Sequence, residues 1–446
     1  MQDHLAYIRT HKSVQAHKQV GDLSWAPDGT IKWTVKKQGD ITDYPLPRDS
    51  DPKGSVVIWE HPIAEAPNGL YIGGCLLPGE KVLTSNGLMN VEDIGLDGML
   101  INKDGVPVKI DTLLRYEKQN ETVYKVKPFG SHRTTTFTGE HPILLKNDNF
   151  VRCSDLKVGD WLKIPNRYIN TNNSYINGLS ELCVDPNDIK LWYFLGTWLG
   201  DGFNNINNNS HDIYVAFGKD QILESDEYSQ IVSQVFGNKT ILCKANGGRT
   251  RRFTNKKLVL FLDKHFGKYS YGKRIPEWVC YAPMELKRAF INGYLDSDGS
   301  VYKDRNNCTI SFKSVNLTIL ESVQDILHSL HICSRINLSS KAGIYEVKGK
   351  LQNRRDSFTL KVLPRYNHLL SQQNIGRKYK KIAEYNSSAR SYTGEQAVVS
   401  SCGKYIFLKV SKIDTGLYTG LVYNFDCETH TYMTRNIVTH NCDPLT

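Results

Sequence analysis

Ten cysteines are spread along the 446 residues, and no two of them form a C-x-x-C pair. That spacing argues against a structural zinc site, whose thiolate ligands usually come as close pairs. A disulfide framework is not expected in a chain this large without a secretory signal, so most of the thiols read as small core residues. No apolar run approaches the roughly 20 residues of a membrane span. The opening stretch MQDHLAYIRT lacks the basic-then-apolar order of a signal peptide. The expectation is a cytoplasmic protein with no membrane partner. A Walker-type G-x-x-x-x-G-K-[ST] loop is also missing, which argues against an ATPase.

What is present is an uneven charge. The net charge is +10, yet residues 185–385 hold 30 Lys/Arg against 19 Asp/Glu, while the rest of the chain holds 26 against 27. One central block carries the whole excess, and a compact basic block suits a polyanion, nucleic acid first. Residue patterning divides the chain in the same way. Residues 75–165 are short β-type runs broken by Gly, Asn and Asp, and the β style returns near 398. Between them, LWYFLGTWLGDG (191–202) and LKRAFINGYLDSDGS (286–300) read as helices ending in Asp-Gly, each followed by strand-like sequence. A β-rich unit interrupted by a duplicated α/β unit is the pattern of one domain inserted in a loop of another.

Six residues near the ends of the β-rich regions suit one chain of chemistry: Cys75, Thr138, His141, His440, Asn441 and Cys442. The Cys75 thiol can attack the Gly74 carbonyl and turn the amide into a thioester. Gly74 leaves room for a bent backbone. Thr138 can hold the same peptide, and His141, with a pKa near neutral, can protonate the leaving nitrogen. The Cys442 thiol can take over the acyl group. The Asn441 side-chain amide can attack its own carbonyl, polarised by His440, and cut the chain as a cyclic imide. Singly, each residue is more often structural than catalytic, and the combined spacing carries the signal.

Four segments then resemble the intein family: CLLPGEKVLT, TFTGEHPILL with CSDLKVGDWLKIP, LVYNFDCETHTYM, and NIVTHNC. The resemblance implies an all-β Hint splicing domain, class 1 splicing from Cys75 without a cofactor, and assistance to Asn441 by His430. Many inteins carry Asp after V-Y in the third segment; this chain carries Asn424, with Asp426 and Cys427 close by as substitutes.

The two Asp-Gly helices align with Gly196 on Gly293 and Asp201 on Asp298, and small residues at Gly200 and Ser297 allow close packing. Paired helix-end aspartates offer hard oxygen ligands to divalent metal. The pair resembles the LAGLIDADG homing endonucleases. The resemblance implies Mg²⁺ held by Asp201 and Asp298 and cleavage of double-stranded DNA at a homing site in the intein-less host gene. Lys273, in K-R-I-P-E-W, resembles a lysine that assists that reaction, with Lys313 and Lys361 both open as its second copy.

The expected fold is therefore mixed: an all-β horseshoe-like Hint domain interrupted by an α/β pseudo-two-fold LAGLIDADG domain. The expected boundaries are a host flank at 1–74, the splicing domain at 75–184 and 386–441, the endonuclease at 185–385, and a second flank at 442–446. The flanks would act as exteins, and the chain is expected to be a monomer. Joining the flanks gives YIGGCDPLT, which resembles the nuclease domain of phage terminase large subunits, with Asp443 as its metal ligand. A degenerate, DNA-binding-only central block is the main alternative. A hedgehog-type autoprocessing unit would not need the H-N-C ending.

Overall fold

The structure is a computed structural model. It describes residues 74–441 except 170, 208–209, 246–247, 305–306, 348, 373–374 and 387–393, and the backbone of a strand pair, Gln19–Trp25 with Ile31–Gln38. Cys442, Asp443 and the flank 442–446 lie outside the described residues, as does most of the flank before Gly74.

Two long strands, Pro107–Pro128 and Tyr405–Cys427, organise the β-rich part. They pair antiparallel from Pro128 opposite Val410 to Ile110 opposite Cys427. Alternation explains their lie: Ile406, Leu408 and Val410 are buried, while Tyr405, Phe407 and Lys409 between them face partly outward. Trp161–Pro165 extends the sheet beside Tyr405–Lys409. A second, four-stranded sheet joins Thr431–Met433, Val438–His440, Pro142–Leu144 and Phe150–Arg152. Segments from both ends of the described chain thus share one β-rich core, with Leu76, Phe137, Ile143, Phe425 and Tyr432 in a single buried cluster.

The central part repeats one topology. Helix Ile189–Asp201 leads into a four-stranded sheet in the order Gly202–Asn207, Ser210–Gly218, Gly248–Thr254, Ile241–Ala245. Helix Met284–Asp298 leads into Gly299–Asp304, Asn307–Ser314, Ser357–Val362, Ser334–Ser340, the same order. In both sheets the third strand along the chain takes the outer edge. Packing joins this α/β core from Tyr168 and Tyr175 onward, ahead of position 185 expected from composition. Aromatic residues in the polar-looking 166–180 stretch supply that extra contact.

The two parts touch through buried surface. Leu144, Ile164, Met433 and Val438 of the β-rich part pack into the α/β core. On helix Leu317–Ser329, Glu321 accepts from Arg133 (2.7 Å), with Arg435 at 3.4 Å, and Asp325 accepts from Arg167 (2.9 Å).

Candidate active sites

Gly74 and Cys75 are held between two strands that come from opposite ends of the β-rich part. Leu76 bonds Tyr423 in both directions (2.8 and 2.9 Å) and bridges Phe137. One residue earlier, the Cys75 N–H donates to Thr138 Oγ1 (2.8 Å), and the Thr138 N–H donates to the Cys75 carbonyl (3.0 Å). The Asn424 side-chain amide donates to the Gly74 carbonyl oxygen. A Cβ on Gly74 would sit 2.4 Å from His141 Cα, so only glycine fits this approach. Cys75, Thr138 and His141 are all fully buried.

His141 departs from the near-neutral imidazole expected from sequence. Burial pushes its pKa down to about 3, against a smaller upward pull from the Gly74 backbone. At neutral pH it is an uncharged ring. Such a ring can accept a proton from a thiol, and once charged it is a strong acid toward the departing nitrogen.

At the other end, Asn441 is fully buried. Its Nδ2 donates to Asp426 Oδ1 (2.5 Å) and lies 3.2 Å from His430 Nδ1. Its own carbonyl oxygen lies 2.8 Å from His440 Nδ1, and its N–H donates to the His430 carbonyl (2.9 Å). The side-chain nitrogen thus sits among acceptors, and the carbonyl it would attack sits beside a ring nitrogen able to donate. Asp426 was named in the sequence only as a substitute for the absent aspartate at 424. Here it touches the nitrogen directly: it lies near the end of the strand Tyr405–Cys427, and the His430 carbonyl just beyond that strand holds the Asn441 N–H.

The two Asp-Gly helices cross at their glycines. A Cβ on Gly196 would meet the Phe290 carbonyl at 2.0 Å, and one on Gly293 would meet the Tyr193 carbonyl at 2.1 Å. Nearer the helix ends, Gly200 is pressed on Ser297, with the Asp298 N–H close by. Asp201 and Asp298 consequently feel each other. Burial first, and then the Asp201 charge, raises Asp298 to about 6, and burial raises Asp201.

Each helix end also holds a lysine. Lys273 Nζ donates to the carbonyls of Trp198 (3.0 Å), Leu199 (2.8 Å) and Gly202 (2.7 Å). Lys378 Nζ donates to Leu295 (2.7 Å), Asp296 (3.0 Å) and Gly299 (2.7 Å). These are the same three positions of the aligned helices. Burial lowers both ammonium groups to about 8.

Residues 285–382 match the family of LAGLIDADG-like domains. The matched stretch contains the Asp298 helix and reaches past Lys378. The chain is also similar to a DNA polymerase of Thermococcus hydrothermalis, 25% identical over 311 residues, which are 66% of this chain and 17% of that protein. It is similar to the DNA-directed RNA polymerase subunit Rpo1N of Methanocaldococcus jannaschii, 25% identical over 446 residues, 80% of this chain and 33% of that one. The chain therefore spans about a third or less of the length of these curated relatives. Among solved structures it is similar to the homing endonuclease I-DmoI in complex with DNA and Ca, at 15% identity and TM-score 0.34, covering 45% of this chain and 97% of that one.

In the α/β unit the position equivalent to Lys273 is taken by Lys378, which is neither of the two lysines left open by sequence. Besides burial, the Asp201 charge raises the Asp298 pKa, and the Lys273 and Lys378 charges pull it down. Lys313 and Lys361 stand on sheet strands paired with neighbouring strands, Lys361 facing a cavity with Arg335 and Arg365. A signal for Lys378 was available: it lies two residues after Gly376, as Lys273 lies one after Gly272, at a similar distance after its aspartate. Three donors on three carbonyls also make each lysine a helix C-terminal cap, which is its plainest role.

The two carboxylates suit a hard divalent cation, since such an ion would offset the burial that raises both and the Asp201 charge that raises Asp298. No group of three or more His, Cys, Asp or Glu that could hold a metal occurs among the described residues. An ion here would take its remaining ligands from water and phosphate.

Proposed function

We propose that the chain is an intein: a Hint splicing domain that excises residues 75–441 and joins its flanks, carrying an inserted LAGLIDADG endonuclease that cuts double-stranded DNA. The observation that carries the splicing reading is that the β-rich part buries both proposed cut points among polar groups, with Cys75, Thr138, His141, Asn424, Asp426 and Asn441 all buried and His430 half-exposed beside them. Gly74 and Cys75 sit with Thr138, His141 and Asn424, while Asn441 sits with Asp426, His430 and His440. Polar groups buried at this density are costly unless they serve a purpose.

In this reading Cys75 Sγ attacks Gly74, and Thr138 holds the Cys75 nitrogen in place. His141 carries the thiol proton to that nitrogen as the C–N bond breaks. Cys442 then accepts the acyl group. His440 polarises the Asn441 carbonyl, Asp426 and His430 orient Nδ2 and take its proton, and the imide closes. The free amine of Cys442 restores a peptide bond. No cofactor enters these steps. The curated relatives fit an insertion, because a DNA polymerase and an RNA polymerase subunit each match most of this chain over only 17% and 33% of their own lengths.

For the second activity, Asp201 and Asp298 would hold Mg²⁺, which supplies Lewis-acid stabilisation of a phosphodiester and an activated water. Lys273 and Lys378 hold the helix ends that present the carboxylates. The basic sheets, with Arg249, Arg251 and Arg252 on one and Arg335 and Lys361 on the other, would follow the DNA backbone. A DNA-binding domain without cleavage is the second reading, and retention of both aspartates weighs against it.

The test is intact-mass spectrometry of the chain tagged at both ends. Splicing yields residues 1–74 joined to 442–446, and a separate 75–441 fragment one water lighter at Asn441. A single mass of 50.7 kDa plus tags, stable for a day in reductant, defeats the splicing reading. Incubation of the purified product with target-bearing plasmid and Mg²⁺ tests cleavage separately.

A further inference from the structure

Asn424 stands where the resemblance led us to expect aspartate, and its surroundings settle which way its amide points. Asn424 Oδ1 accepts from the Tyr432 hydroxyl (2.7 Å) and from the Phe425 N–H (2.7 Å). With the oxygen occupied twice, Nδ2 is left to face the Gly74 carbonyl oxygen, to which it donates. The residue is 1% exposed, and Tyr432 is fully buried between Phe425 and His141. This arrangement is a rigid donor aimed at the carbonyl of the first bond to be broken.

We propose that Asn424 is a catalytic residue of the first acyl shift, acting as the oxyanion donor at Gly74, with Tyr432 as the residue that positions it. The proposal rests on the splicing reading and assigns within it a role that aspartate could fill only when protonated. The balance is as follows. Cys75 Sγ gives up its proton and forms a bond to the Gly74 carbonyl carbon. The carbonyl π pair moves to oxygen, and the alkoxide is held by the Asn424 N–H. When the pair returns, the bond to the Cys75 nitrogen breaks, and that nitrogen takes the proton the thiol lost. Nothing is oxidised or reduced. A neutral amide donor in a dry pocket strengthens its bond as charge grows on oxygen, which is what lowers a barrier.

A merely structural role for Asn424 would give a different pH response. The tagged full chain carrying Asn441→Ala and Cys442→Ala halts at the Cys75 thioester, and an added thiol such as 2-mercaptoethanesulfonate then releases the N-terminal tag. In that parent the release rate is expected to fall with falling pH, as thiolate is lost. Asn424→Ala is expected to slow release by about 10²- to 10³-fold, the cost typical of removing one oxyanion donor. Asn424→Asp keeps the shape. Its carboxylate opposes the alkoxide at pH 8, whereas its protonated form donates, so its release rate relative to the parent at the same pH is expected to rise as pH falls from 8 to 5. Tyr432→Phe is expected to cost about tenfold, with the parent's pH profile, on the scale of one lost hydrogen bond.

Folding is checked in a Cys75→Ala background, where release of a C-terminal tag by Asn441 is expected to stay within threefold on adding Asn424→Ala. Asn424→Asp releasing the N-terminal tag at the parent's rate and with the parent's pH profile overturns the proposal. Equal slowing of N- and C-terminal release by Asn424→Ala also overturns it, since that is a packing effect. A parent that yields no thiol-releasable tag at any pH overturns the splicing reading itself, and the Asn424 role with it.

Discussion

The two candidate sites solve opposite problems of burial. At the peptide junction every group in contact with the Gly74–Cys75 bond is neutral: a hydroxyl, an amide and an imidazole pushed down to about 3. At the helix pair the groups are formally charged, two carboxylates and two ammonium ions, and burial pushes the acids up and the bases down. The difference follows from what each site would act on. The junction would work on the chain's own amide, already delivered by the fold, so it can be dry. The helix pair would work on an external polyanion and a cation, so its charges wait for partners that arrive from solution.

The sharpest way to break this comparison is to cross the two sites. Cys75→Ala is expected to abolish the N-terminal step and leave plasmid cleavage at the level of the spliced product. Asp298→Asn is expected to abolish cleavage and leave splicing intact. Gel and mass assays on both variants read this directly, and any variant that loses both activities would show that the sites are coupled.

Gly74→Ala comes next. The added methyl has no room against His141, and a displacement on the order of 1 Å at a reacting carbon can cost about 10²-fold in rate. Thiol-induced release of the N-terminal tag should fall by that factor, with cleavage of DNA unchanged.

Lys378→Met should lower DNA cleavage by about 10-fold or more, as should Lys273→Met, because each leaves three helix-end carbonyls without their donor. Lys313→Met should alter DNA affinity and its salt dependence while leaving the single-turnover cleavage rate of bound DNA nearly unchanged.

The smallest effects are in stability, and they differ in sign. Asp298 has its folded pKa raised to about 6 from 3.8. The stability it contributes is fully present below 3.8 and lost as pH rises through 6, so at pH 7 its charge is a strain. Asp298→Asn should therefore raise the stability by about 3 kcal/mol at pH 7, with most of the gain gone by pH 4. His141 is lowered from 6.5 to about 3, and burial lowers His328 to about 4. Their contribution is present above 6.5 and lost as pH falls, about 2 kcal/mol each between pH 7 and 5. Urea midpoints of the splicing-inactive Cys75→Ala, Asn441→Ala chain, with and without Asp298→Asn, measure both signs.

The lesson for reading sequences lies in particular residues. The aligned spacing of Gly196 and Asp201 with Gly293 and Asp298 was visible in the chain, because close helix crossing demands small residues at fixed helical intervals. Lys378 was not singled out, because its partners are backbone carbonyls, which leave no mark on side-chain patterns. Asn424 was visible as an oddity but not as a donor. The orientation of an amide depends on what its oxygen accepts, and the Tyr432 hydroxyl reaches Asn424 from a strand of the other sheet. Asp426 likewise meets Asn441 across two sheets.

By itself, then, the sequence determined the local facts: the β alternation, the Asp-Gly helix ends, the duplicated spacing, the basic block, and which residue types stand near the two cut points. Those facts depend on neighbours a few residues away or on composition. Only the tertiary structure decided which side chain meets which carbonyl, which lysine closes each helix, and how far burial moves His141 and Asp298. Those depend on contacts across hundreds of residues and on the loss of water around a group, and neither quantity is written in local order.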